Sequence, residues 1–217
     1  MKKVTLTFDN GPDPGGTTGF VLDELARRGI LATFFVVGRR LARPGGLDLA
    51  RRAHAEGHWI GNHTLTHGAQ LGDNDDMSFV DREIGETQAL IGELVHPDRL
   101  FRPNGGGGVI SQHLLSPSAV SYLTGGGYTC VLWTSVPRDW EGDAAWVDRC
   151  LADIEAHDWS VVVAHDLLGG GMPYLPALLD RIEAMGVEFV QAFPHECLPI
   201  RRGVVEADMS PFVQQAA

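Results

Sequence analysis

Short β-branched apolar runs alternate with amphipathic helical segments along most of this chain, and that alternation constrains its fold more than any other feature. Strands separated by helices and short connections predict a parallel sheet. The run Val161-Val162-Val163 is typical of a strand buried on both faces, as parallel sheets require. We predict strands at 3–8, 31–37, 59–62, 99–102, 128–133, 160–165 and 187–191, and helices at 17–28, 47–56, 78–94, 116–123, 144–156 and 173–185.

Seven such strands are enough to form an α/β fold with a distorted parallel (β/α) barrel. No linker, internal repeat or low-complexity tract divides the 217 residues, and a chain of this length can bury one sizeable core. We therefore expect a single domain over 1–217, with a partly disordered tail over 201–217.

The charge balance and the scarcity of lysine exclude several classes of function. The formal net charge is −11, whereas binding to nucleic acids or anionic membranes needs a basic surface. Lys2 and Lys3 are the only lysines. The chain therefore lacks both the lysine of a phosphate-binding loop and an interior lysine for a Schiff base. A G-x-S-x-G nucleophile elbow is also absent.

The sequence predicts a cytoplasmic protein. No apolar run approaches the roughly 20 residues that span a bilayer, and polar residues interrupt the N-terminal apolar segment where a signal peptide would need its core. Three distant cysteines without a C-x-x-C pair fit reduced thiols; they are Cys130, Cys150 and Cys197.

Polar side chains follow five of the predicted strands, where parallel α/β folds gather their reactive groups. One such residue would carry little information, because turns also favour Asp and Asn. Five strand ends in order predict a site at one end of the barrel. In chain order the residues are Asp9 with Asn10, His63, Arg102, Asp139 with Trp140, and His165 with Asp166.

Two of these segments have two interpretations each. Asp9 and Asn10 either close a strand as an Asx-turn or place a general base beside a metal ligand. His63 and His67 lie on one side of the chain if the segment is helical, and imidazole is a common ligand of zinc and similar cations. They could equally be ordinary core or surface histidines, and the residues alone leave both questions open.

Taken together, five ordered motifs resemble the polysaccharide deacetylase (NodB-like) family. The family's T-F-D-D-G-P is matched by residues 7–12 except at Asn10, and its H-[ST]-x-x-H is matched fully by residues 63–67. The other three motifs are matched in part: R-x-P-x-G by Arg102 and Gly106, D-x-x-D-W by Asp139 and Trp140, and L-x-H by Val163-Ala164-His165.

The resemblance implies a NodB-like barrel that hydrolyses the N-acetyl amide of an acetamido sugar or oligosaccharide and releases acetate. It also implies a divalent cation, zinc or alternatively cobalt or manganese, held by His63, His67 and Asn10. The resemblance further implies that Asp9 is the general base, held in place by Arg102, and that His165 is the general acid, oriented by Asp139. It also implies that the N–H near Gly105 binds the oxyanion and that Trp140 forms a wall of the acetyl pocket.

Three departures from the family pattern modify this expectation. Asn10 replaces an aspartate, so the metal site loses a negative charge and should bind more weakly. Val136 replaces a carboxylate that could have been a partner for Arg102. Asn104 and Gly105 replace the usual proline and bulky residue, which predicts a more flexible loop.

Two other functions therefore stay open beside the deacetylase. The first is hydrolysis of a cyclic amide or imide, as in allantoinase-like relatives that look altered in the same metal motif. The second is a degenerate carbohydrate-binding protein that keeps the pocket without the chemistry. The sequence does not indicate an oligomeric state.

Overall fold

The computed structural model describes residues 1–214 and arranges them around one curled, mixed β-sheet. Its strands are β1 (Lys3–Asp9), β2 (Thr33–Val36), β3 (Trp59–Asn62), β4 (Leu100–Phe101), β5 (Thr129–Cys130), β6 (Trp159–His165), β7 (Glu188–Phe189), β8 (Ile200–Arg201) and β9 (Val204–Val205). They follow the order β6-β1-β2-β3-β4-β5-β8-β9, and β7 pairs with the first residues of β1.

Eight α-helices are found in the described part of the chain. None of them is long and apolar enough to cross a membrane. The helices are α1 (Thr17–Arg28), α2 (Gly38–Leu41), α3 (Gly46–Ala55), α4 (Met77–Val80), α5 (Thr87–Ile91), α6 (Pro117–Gly125), α7 (Ala145–Ala156) and α8 (Leu175–Ala184).

Strands β1 to β6 close into a barrel. β1 pairs in parallel with β2 on one edge and with β6 on the other, where Asp9 stands opposite His165. After β5 the chain turns toward β6 and forms a parallel bridge between Ser135 and Val162. The predicted distorted parallel barrel is therefore confirmed, and the sheet is mixed only because β8 and β9 add to it in antiparallel fashion.

The core confirms that the barrel strands are buried on both faces. Residues 160–164 of β6 are all buried, and Phe8 of β1 stacks on Phe34 of β2 with ring centroids 5.1 Å apart. Helix α1 covers this side of the barrel with one apolar face. It stops at Gly29, whose φ of 64° is a conformation that glycine adopts without strain.

The strand predicted at 128–133 is shorter than expected because the chain changes partners. The Val131 N–H donates to Phe101, the next N–H donates to Cys197, and the Ser135 N–H donates to Val161. A continuous ladder with β4 therefore ends after Cys130. The helix predicted at 78–94 is also interrupted, since a π-helical segment, Asp81–Glu86, separates α4 from α5.

The prediction of a partly disordered tail is wrong for residues 201–214. This stretch contains the β8–β9 hairpin and then returns to the barrel, where Val213 bridges to Leu115. Phe212 and Val213 pack against a buried apolar cluster. Isolated two-residue strands carry no periodic signal, so the sequence pattern did not reveal them. Residues 215–217, the end of the predicted tail, lie outside the described part of the chain.

Candidate active site

The carboxyl ends of β1, β3, β4 and β6 open onto a cavity of about 460 Å³. Parallel strands end at the same edge of the barrel, which is why residues far apart in sequence meet there. Arg102 and Asp139 are fully buried and hydrogen-bond to residues of the cavity wall. The other predicted site residues line the cavity itself: Asp9, Asn10, His63, His67, Gly105, Trp140 and His165.

Asp9 and Arg102 form a buried ion pair. The Arg102 Nη1 donates to Asp9 Oδ1 at 2.9 Å and to Thr7 Oγ1 at 2.6 Å. Burial by itself raises the pKa of the Asp9 carboxyl, but the neighbouring positive charge and hydrogen bond of Arg102 outweigh it and lower that pKa below its usual value. Asp9 is therefore an ionised carboxylate at neutral pH and can accept a proton.

Each guanidinium nitrogen of Arg102 has a hydrogen-bond partner without a carboxylate at position 136. Its Nε donates to the Val131 carbonyl at 3.2 Å and its Nη2 to the Leu132 carbonyl at 3.3 Å. Val136 instead lies against Gly108, where an added Cβ would come within 2.6 Å of the valine side chain. The replacement at 136 thus leaves no gap in the hydrogen bonding of Arg102.

His63 is held as a neutral ring with one free nitrogen. Its Nδ1 lies 2.8 Å from the Arg102 carbonyl oxygen, and because a carbonyl only accepts, Nδ1 carries the proton. The other nitrogen, Nε2, lies 3.6 Å from Asp9 Oδ2. Burial lowers the pKa of His63 to about 4, so the lone pair on Nε2 is available to a cation at neutral pH.

His67 reaches the site from a bent loop and not from a helix. Residues 63–67 contain no helical turn, and both Thr64 (φ 67°) and His67 (φ 51°) adopt left-handed backbone conformations. The loop nevertheless brings the two imidazole rings to a centroid distance of 5.0 Å. Burial lowers the pKa of His67 as well. Both predicted histidine ligands are therefore neutral and adjacent.

Asn10 supplies the feature that best fits a bound cation. Its Oδ1 is buried and has no hydrogen-bond partner among the described residues, and its side chain lines the cavity with His63 and His67. An unpaired buried carbonyl oxygen is costly unless something outside the protein binds it. Residues 1–214 contain no cluster of three or more His, Cys, Asp or Glu side chains suited to a metal. The donor set is therefore two imidazole nitrogens and one amide oxygen, which fits a divalent cation without adding negative charge.

His165 and Asp139 form the second charged pair of the site. The His165 Nδ1 lies 2.7 Å from Asp139 Oδ1, and the His165 backbone N–H donates to the other carboxylate oxygen at 2.7 Å. Burial disfavours the charged imidazole, but the hydrogen bond and charge of Asp139 outweigh it and raise the pKa of His165. The Trp140 ring packs against this imidazole in a T-shaped arrangement at a centroid distance of 5.2 Å.

The glycine loop after β4 is fixed at several points. Trp133 Nε1 donates to the Gly108 carbonyl at 2.9 Å, and Asn104 Nδ2 donates to the Gly68 carbonyl at 2.9 Å. These bonds were not foreseen from the glycine content, which predicts flexibility. The Gly105 N–H faces no acceptor among the described residues, and an added Cβ there would collide with the Trp133 ring. The N–H of this cavity-lining residue therefore has no partner within residues 1–214.

The relationship to known proteins agrees with this geometry. Residues 1–116 match the family model described as polysaccharide deacetylase, a segment that includes Asp9, Asn10, both histidines and Arg102. A chitooligosaccharide deacetylase from Rhizobium leguminosarum is 36% identical over 76% of this chain and 72% of its own length. This chain belongs to the polysaccharide deacetylase family.

Other members of the polysaccharide deacetylase family extend the match beyond residue 116. A peptidoglycan-N-acetylglucosamine deacetylase from Bacillus cereus is 31% identical over 87% of this chain and 68% of its own length. Among solved structures, a family 4 acetyl xylan esterase from Clostridium thermocellum in complex with cobalt superposes with a TM-score of 0.70, at 28% identity over 87% of each chain. The peptidoglycan deacetylase PdaC from Bacillus subtilis gives a TM-score of 0.71, at 26% identity over the same shares.

Two buried carboxylates near this deacetylase site were not assigned a role from the sequence. Asp166 follows His165, is fully buried, and accepts a hydrogen bond from Thr18 Oγ1. Its carboxylate occupies the space where a Cβ at Gly11 would lie, and burial raises its pKa to about 7. Glu83, in the π-helical segment, is 2% exposed. Its position in a π-helical turn, a frequent feature of functional sites, could not be read from the helical pattern.

Proposed function

We propose that this chain hydrolyses the N-acetyl amide of a small acetamido sugar, releasing acetate and the free amino sugar with the help of a divalent cation. The observation that carries the proposal is the pairing of Asp9 with His165 across neighbouring strands β1 and β6. One is an ionised carboxylate and the other an imidazole with a raised pKa. A general base and a general acid therefore face one cavity.

The cation would be held by His63, His67 and Asn10, and we propose zinc. When bound, such a cation supplies Lewis-acid polarisation of the amide carbonyl and lowers the pKa of a water molecule. The hydrogen bond from His63 Nδ1 to a backbone carbonyl fixes the orientation of that ligand, as in other histidine-metal sites. Cobalt in the Clostridium thermocellum relative supports a cation of this class.

The protein's own groups account for the proton movements. Asp9, held by Arg102, accepts a proton from the attacking water as its oxygen adds to the amide carbon. The Gly105 N–H donates to the carbonyl oxygen while it carries negative charge. His165, oriented by Asp139, donates a proton to the nitrogen as the C–N bond breaks. The proton taken up by Asp9 then passes through solvent to His165, which restores both residues. Water and amide are thereby converted into acetic acid and amine, and the acid ionises to acetate at neutral pH.

The cavity volume of about 460 Å³ is that of a small-molecule site, and its lining suits a neutral sugar. Within residues 1–214, Arg138 is the only charged side chain that lines it outside the predicted cation and acid–base residues. The rest of the wall is glycine, proline and apolar side chains, including Trp133, Val136 and Leu168. Trp140 is 39% exposed and offers a face on which a sugar ring can pack. The three buried free cysteines support our further proposal of a cytoplasmic location.

The test is to load the purified protein with zinc, cobalt or manganese and to measure acetate and free amine from N-acetylglucosamine and its short oligomers. We expect equal amounts of the two products, and more from the monosaccharide and disaccharide than from longer oligomers. Ring-opened products from allantoin or cyclic imides, with no acetate, would replace the proposal with the cyclic-amide alternative. Sugar binding that is unchanged in Asp9→Ala, with no turnover, would instead indicate a binding protein.

A further inference from the structure

The carboxylate of Glu83 lies buried beside the loop that carries His67 and binds the residue next to it. Glu83 Oε2 accepts the Thr66 backbone N–H at 3.0 Å and the Thr66 hydroxyl at 3.0 Å, and Oε1 lies 3.2 Å from the same hydroxyl. The only cation within 4.0 Å in the described part of the chain is Arg82, at 3.6 Å, whose side chain is 53% exposed.

A buried carboxylate at this position is not the side chain that would stabilise the fold most. Removing a charged group from water without a well-formed ion pair carries a large desolvation penalty. A neutral or apolar side chain would fill the same space on α4–α5 with a smaller desolvation penalty. The buried carboxylate of Glu83 makes three contacts to Thr66. We therefore assign its contribution to the geometry of the 63–67 loop.

That loop needs an external support because its backbone is unfavourable. Thr64 and His67 both have positive φ, a backbone conformation that is unfavourable for residues other than glycine. Within the loop, the His67 N–H donates to Thr64 Oγ1 at 3.1 Å and the Thr64 N–H donates to Asn62 Oδ1 at 3.0 Å. Glu83 adds the support from outside the loop at Thr66, the residue directly before His67.

We infer that Glu83 is a positioning residue that holds His67 in the orientation needed to bind the cation. It acts through Thr66 and touches neither the substrate nor the reacting atoms. The inference rests on the proposed role of His67 as a metal ligand. It extends the site from the cavity wall to the π-helical segment Asp81–Glu86, whose wider turn carries Glu83 toward the loop.

The experiment compares Glu83→Gln and Thr66→Val with two controls, Thr66→Ser and Thr87→Val. Thr66→Ser keeps both donors to Glu83. Thr87 is the buried first residue of α5, and its hydroxyl donates to the Glu83 backbone carbonyl at 3.2 Å without reaching Thr66. Zinc affinity is measured by competition with a chelator, without substrate. Thermal unfolding and amide hydrogen exchange of residues 63–68 are measured on the metal-free proteins.

We expect Glu83→Gln and Thr66→Val to weaken zinc binding about tenfold to a hundredfold, the range found when a metal ligand loses its supporting hydrogen bonds, and to speed exchange in 63–68. The controls should bind zinc as the unchanged protein does, although Thr87→Val should unfold at a lower temperature. Lower stability with unchanged zinc affinity in both test variants would overturn the inference and leave the proposed function standing. An unchanged protein that binds no zinc, cobalt or manganese would contradict both.

Discussion

Each of the two walls of the cavity contains a pair of one acidic and one basic side chain, but the walls differ in which member of the pair faces the cavity. At the ends of β1 and β4, the carboxylate of Asp9 faces the cavity and Arg102 lies behind it. At the end of β6, the imidazole of His165 faces the cavity and Asp139 lies behind it. In each case the fully buried partner stabilises the charge of the residue that faces the cavity, which suits the first wall to the proposed role of base and the second to that of acid.

Asp166 shows what burial does to a carboxylate without such a partner. It lies in the same part of the fold as Asp9, and both are buried. No arginine contacts Asp166, however, and one of its oxygens has no hydrogen-bond partner among residues 1–214. The pKa of Asp9 is lowered, whereas that of Asp166 is raised to about 7. The neighbouring charge, and not the depth of burial, therefore decides which carboxylate is fully ionised at neutral pH.

Replacing the base should have the largest effect. Asp9→Asn keeps an acceptor for Arg102 but cannot take a proton, so we expect kcat for acetate release to fall by about 10²–10⁴, the usual contribution of a general base. The measurement is steady-state kinetics on metal-loaded protein. Because the change also leaves the Arg102 charge buried without its partner, thermal unfolding must confirm that the variant is folded at the assay temperature. A folded variant with a near-normal rate would remove Asp9 from its assigned role.

Placing a carboxylate at position 10 should change the metal affinity without altering the Asp9–Arg102 pair or the His165–Asp139 pair. Asn10→Asp adds a charged oxygen ligand, and aspartate tolerates positive φ about as well as asparagine does, so the φ of 72° is no obstacle. We expect zinc to bind about tenfold or more tightly, because carboxylates strengthen such sites. The control is Asn74→Asp, the same change at an exposed position. Equal zinc affinity in Asn10→Asp and the unchanged protein would show that position 10 is not a ligand.

Replacing Asp166 with a residue that cannot ionise should produce the smallest effect, a change in thermal stability that depends on pH. Its folded-state pKa of about 7 lies above the usual 3.8, so its stabilising contribution is complete below the lower value and is lost as the pH rises through 7. Asp166→Asn cannot ionise. We expect the melting temperature of the variant, relative to the unchanged protein, to rise between about pH 5 and about pH 8. A difference that does not vary with pH would mean that Asp166 is not a buried titrating group.

The sequence predicted the barrel and the positions of the site residues because both rest on local patterns. Alternating strands and helices define the parallel sheet, and the polar residues at their ends then meet at one edge. Three features depend on contacts that no local pattern records. The loop around His67 is not helical, the chain after Cys130 changes partners, and Glu83 hydrogen-bonds to Thr66 from a π-helical segment. The single-domain prediction, the metal's identity and the cytoplasmic location stay predictions.

The most direct test of the account is the pH dependence of kcat/KM for acetate release in the unchanged protein and in Asp139→Asn. We expect a bell-shaped profile whose alkaline limb reports His165, since the acid works only while protonated. Without the charge of Asp139, the pKa of His165 falls, so that limb should move to lower pH while the acidic limb, set by Asp9, stays in place. An unmoved alkaline limb, or a shift of the acidic limb instead, would contradict the assignment of acid and base to the two walls.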